Sequence, residues 1–143
     1  MSETMEAQVA RIDYDKYLSF VNDTTSHPSK DTDEFVKRIR DLEAKGVNIE
    51  RLLTAAVGIS AEGGEFTEIV KKICFQGKEL TPENKVHLIK ELGDVFWYIA
   101  QACIALQVDF QTVVVTNMMK LSARYPEGAF DIFRSENREE GDI

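Results

Sequence analysis

Two stretches of this sequence are punctuated so strongly that long helices are their natural occupants. Asn48 offers a side-chain oxygen to the free N–H groups of a helix start, and the apolar periodicity it opens continues to about Gln76, with Gly77 as the stop. Thr81 followed by Pro82 is a second start, because threonine caps and proline suits the first helical position. That helix should reach about Leu106. Period-two alternation is absent, so the chain reads as all-α, most simply a helix bundle.

Shorter elements flank the pair. Tyr14 to about Asn22 is a helical candidate whose bulk is Tyr14, Tyr17 and Phe20. The polar segment 26–31, with Pro28 inside it, reads as a loop. Asp31 or Thr32 caps a helix to about Lys45, and Gly46 ends it. Asp109 caps a further helix ending near Tyr125, where Pro126 and Gly128 halt it. This divides the chain into a flexible start (1–11), a helical domain (12–128) and an acidic, solvated tail (129–143).

The 143 residues make about one domain, and a 43% hydrophobic content suffices for a core. The formal net charge of −8 argues against a nucleic-acid polymer as partner, which would need clustered Lys and Arg. It leaves a single nucleotide open, since metals held by carboxylates reverse the local field. Cys74 and Cys103 lie in apolar helical stretches and read as core thiols. No apolar run has signal-peptide or membrane-spanning length, so a cytoplasmic setting without membrane contact is expected.

Chemistry enters with the position of the acids. At about 100° per residue, Ala55, Glu62, Phe66, Ile69 and Ile73 fall on one side of their helix, and Glu65 neighbours Glu62 at i,i+3. On the next helix Glu91, Val95, Tyr98 and Ala102 line up, with Asp94 at i,i+3 from Glu91. Its main apolar stripe, including Leu88, Leu92 and Ile99, runs beside those acids. Surface acids normally lie opposite an apolar stripe, whereas these lie along its edge. If the helices pack antiparallel, as a short connection favours, four carboxylates converge. Unpaired, they would repel, and a hard cation removes the conflict. Oxygen-only ligands suit Mg2+ or Mn2+ rather than zinc. The plain alternative is solvated acids paired with Lys71, Lys72 or Lys90.

A third element carries the opposite charge. Asn117, Lys120 and Arg124 share one side of the helix after Asp109, and cations there suit phosphate oxygens. A basic helix end facing its own dipole is the alternative, and for Arg124 alone it is the better one. The histidines read as incidental: His27 lies in a loop, and His87, one turn before Glu91, is within reach of phosphate but is better read as a solvated surface residue.

These segments together resemble a known family. Residues 61–65 (AEGGE) and 91–98 (ELGDVFWY) resemble the ExxE…ExxD signature of the MazG-type, all-α nucleoside triphosphate pyrophosphohydrolases, with residues 66–90 as the interval. Residues 117–128 (NMMKLSARYPEG) are similar to the family's downstream N-x-x-K-x-x-x-R-Y-P segment, so the likeness covers about 50–128. It implies that Glu62, Glu65, Glu91 and Asp94 hold Mg2+, and that Asn117, Lys120 and Arg124 contact phosphate or nucleotide. Tyr98 would border the nucleotide pocket, and Trp97 is equally a base-stacking or a core or interface residue. Many relatives carry paired acids where Ala61 and Lys90 stand here, so metal number and phosphate contacts are open.

The implied activity is Mg-dependent hydrolysis of (deoxy)nucleoside triphosphates to monophosphate and pyrophosphate, with Glu62 or Glu65 acting on the water. Alternatives on the same fold are dUTP or phosphoribosyl-ATP hydrolysis and a non-catalytic nucleotide-binding module. A ferritin-like di-iron oxidase normally needs Glu-x-x-His pairs, and Glu65 and Asp94 stand where those histidines would be. Long apolar helices with few residues to cover them lead to the expectation of a homodimer or homotetramer.

Overall fold

The computed structural model describes residues 13–137. The expected flexible start, 1–11, and the end of the acidic tail, 138–143, lie outside them. Described residues form six α-helices and no strand: α1 (Tyr14–Thr24), α2 (Thr32–Ala44), α3 (Ile49–Phe75), α4 (Pro82–Leu106), α5 (Phe110–Arg124) and α6 (Ile132–Glu136). A single 3-10 turn, His27–Ser29, sits inside the expected loop 26–31. The class is all-α, and the long helices begin and end within a residue or two of the expected punctuation.

Local chemistry explains the boundaries. Asp31, Asn48, Thr81 and Asp109 each accept from the backbone N–H three residues on, satisfying a donor that the helix start leaves free. At the other ends Gly46 and Gly77 take φ of 79° and 71°, a left-handed turn that glycine enters without a Cβ penalty. The helix α4 ends differently. Gln107 adopts φ 56° while Val108 N–H donates to the Cys103 carbonyl at 3.0 Å, so a side-chain-bearing residue occupies the left-handed position. After this turn α5 leaves at 95° to α4. Asp131 caps α6, which the acidic composition of the tail did not announce.

Two compact units divide between Gly46 and Val47. In the first, α2 packs against the 3-10 turn, and Tyr14, Tyr17 and Phe20 of α1 are exposed. The second is organised by α3 and α4, which run antiparallel, since Arg51 bonds Gln101 at 2.6 Å while Gly58 meets Tyr98 farther along. Among the described residues its buried apolar side chains are Ala55, Ile69 and Cys103. Helix α5 touches α4 through the Phe96–Phe110 ring pair, 5.7 Å between centroids, and packs along neither long helix. No single described helix is long and apolar enough to cross a membrane.

Candidate metal centre

Both acid pairs sit near the middle of α3 and α4, where helix register is held by hydrogen bonds on either side. Each pair spans three residues, close to one turn, so both members face the neighbouring helix or its edge. Antiparallel packing then brings the pairs level. Glu62, Glu65 and Glu91 each offer a carboxylate oxygen within 4.8 Å of the other two. Asp94 lies outside that triad and is exposed, yet its charge acts on Glu62.

Burial separates the members. Glu91 is 6% exposed, Glu62 half-buried and Glu65 exposed. Partial burial raises the Glu62 carboxyl above its ordinary pKa, and the charges of Glu65, Asp94 and Glu91 push it the same way. The cluster therefore favours positive charge, as a proton or as a cation.

Two of the three lysines considered as partners go elsewhere. Lys71 and Lys72 both pair with Glu68, the Lys72 contact being 3.3 Å. None of the described lysines pairs with Glu62, Glu65, Glu91 or Asp94 at ion-pair distance. Three oxygen donors from two helices, with no thiolate or imidazole among them, fit a hard divalent ion such as Mg2+ or Mn2+.

Other expected residues are placed less tightly. Tyr98 sits between the helices, its ring against Gly58, and makes an edge contact with Trp97 at 4.9 Å between centroids. Trp97 remains 56% exposed. Asn117, Lys120 and Arg124 ride on α5, which packs along neither acid-bearing helix. The sequence reading missed His87, whose Nε2 lies 2.9 Å from Glu91 Oε1. Its i,i+4 spacing to Glu91 was the available signal.

Residues 31–129 match the model of the MazG nucleotide pyrophosphohydrolase domain. The "Gene 37 protein" of Mycobacterium phage L5 is 41% identical over 83 residues, a stretch covering 57% of this chain and 72% of that protein. No solved structure matches the chain. With the family model spanning α2 to α5 and both acid pairs inside it, the chain belongs to the MazG nucleotide pyrophosphohydrolase family.

Proposed function

We propose that the chain hydrolyses (deoxy)nucleoside triphosphates to the monophosphate and pyrophosphate at a magnesium centre held by Glu62, Glu65, Glu91 and Asp94. The observation that carries this reading is the triad of carboxylate oxygens within 4.8 Å, drawn from two helices and left without lysine partners. Magnesium, when bound, supplies a Lewis acid for phosphate oxygens and lowers the pKa of a coordinated water.

The chain's own residues account for the rest. Glu91, buried on α4, and Glu62, half-buried on α3, fix two donors on rigid elements. Glu62 or Glu65 accepts the proton of the attacking water on a carboxylate oxygen. Water adds across the α–β phosphoanhydride, and pyrophosphate leaves with the bridging oxygen. Asn117, Lys120 and Arg124 are the groups proposed to meet phosphate or nucleotide, with Tyr98 at the pocket edge. We assign the working form to a homodimer or homotetramer, because large apolar residues of α3 and α4 are left uncovered, Val57, Ile89 and Ile104 among them.

Purified protein incubated with Mg2+ and a panel of ribo- and deoxynucleoside triphosphates, dUTP and phosphoribosyl-ATP, with products identified, tests the reaction. Pyrophosphate with the matching monophosphate is the expected pair. Orthophosphate release, or binding without turnover, would overturn it.

A further inference from the structure

We infer that His87 is a positioning residue for the metal centre, holding the buried Glu91 carboxylate in the orientation that meets Glu62 and Glu65. The inference rests on the metal site proposed above and adds a residue to it. Glu91 is the buried charged residue among those described, and a buried carboxylate is costly unless hydrogen-bonded. Among the described residues His87 is the side chain at ion-pair distance from it, with Nε2 2.9 Å from Oε1. An ionised carboxylate only accepts, so Nε2 carries the proton and donates. This holds whether or not Nδ1 is also protonated, so the role does not depend on the charge of His87.

Spacing makes the contact stiff. Residues four apart stand one above the other on a helix, so the imidazole clamps Glu91 from the preceding turn of α4. A carboxylate has two oxygens, and fixing Oε1 restricts the rotation that would carry the group away from the triad. Solvated i,i+4 pairs are common and weak, but here the imidazole is half exposed while its partner is almost fully buried. Donors that orient a metal ligand in this way typically change metal affinity by about 10- to 100-fold.

The test is a Mn2+ titration of the full chain followed by electron paramagnetic resonance, with folding checked by circular dichroism. His87→Ala and His87→Asn should weaken Mn2+ binding about tenfold. His87→Gln, whose amide nitrogen overlays Nε2, should stay within about threefold of the parent, by the same estimate. Asparagine places its amide where Nδ1 stood and does not rescue. Equal affinity in the parent and His87→Ala, or a Gln variant as weak as the Ala one, overturns the inference while leaving the metal site in place. Failure of the parent chain to bind Mn2+ overturns both.

Discussion

The ring of Tyr98 rests against the backbone of Gly58, so closely that a methyl group on that glycine would lie 2.1 Å from two ring carbons. Gly58 is one of the buried positions of α3, and this approach lets α3 and α4 come together one turn from the acids. Glycine inside a helix costs about 1 kcal/mol relative to alanine, so helix propensity alone would favour the substitution. Overlap with the ring decides otherwise. Gly58→Ala should lower stability by about 1–3 kcal/mol, as overpacking does. Tyr98→Ala in the same background should recover part of the loss. Urea denaturation of the two single variants and the double gives the coupling, and additive effects would contradict the contact.

At the other end of α4, Gln107 holds the left-handed conformation that carries the chain through its 95° turn into α5. An L-residue there is disfavoured by about 1–2 kcal/mol. Part of the gain from glycine is returned by its freer unfolded chain. Gln107→Gly is therefore expected to stabilise by about 0.5–1 kcal/mol, visible as a higher melting temperature. A lower one would mean that the Gln107 side chain makes a contact worth more than its backbone strain.

The acid triad makes a sharper demand. Glu91→Gln keeps the size and the bond to His87 in modified form but removes the charge of the buried acid among those described. Orienting residues alone are worth about 10- to 100-fold, so pyrophosphohydrolysis should fall by at least about 100-fold. Helical content should be unchanged by circular dichroism. Near-parental turnover in this variant would remove the basis for the site.

What could be read from the sequence follows from the range of the forces involved. Caps act over three residues, so Asn48, Thr81 and Asp109 announced their helices, and glycine announced the stops at 46 and 77. The meeting of Glu62, Glu65 and Glu91 was legible because helical angle is local and an edge position next to an apolar stripe is unusual, whereas Asp94 lies outside the triad. His87 is a surface residue, as its sequence position suggests, but the burial of its partner Glu91 depends on how α3 and α4 cross. That crossing turns on a glycine and a tyrosine forty residues apart in sequence. Nor did Gln107 advertise a turn, since glutamine has no preference for positive φ.

Proton linkage gives an independent view of the triad. The folded chain raises the Glu62 pKa, so between the ordinary carboxyl value and the folded one it holds a proton that the unfolded chain has lost. Stability from this group is therefore lost as pH rises through that window and regained as pH falls. Glu68, lowered chiefly by its bond to Lys71, and Asp109, lowered by Thr112, act in the opposite direction, so the total profile mixes signs. Comparing metal-free parent with Glu62→Gln from about pH 4 to pH 7 isolates the term. The parent should lose stability relative to the variant as pH rises, and added Mg2+ should cancel the loss, because cation uptake displaces the proton. Parallel profiles would show that Glu62 feels no crowding of charge.

A domain of about 150 residues buries roughly two-thirds of the surface of its unfolded chain, yet the buried apolar residues among those described are Ala55, Ile69 and Cys103. Along α4, Val86, Ile89, Phe96 and Ile104 stay exposed at helical spacing, with Gly93 and Ala100 between them. Bulky and small residues alternating on one stripe can interdigitate with another helix. Light scattering should therefore find a dimer or tetramer, with a melting temperature that rises with protein concentration. Ile104→Glu, on α4 but remote in sequence from Glu91 and Asp94, should shift the population toward monomer and lower the melting temperature, because a charge introduced at a dry contact goes unpaired. A parent chain that is monomeric and melts independently of concentration would leave this stripe without a partner of its own kind.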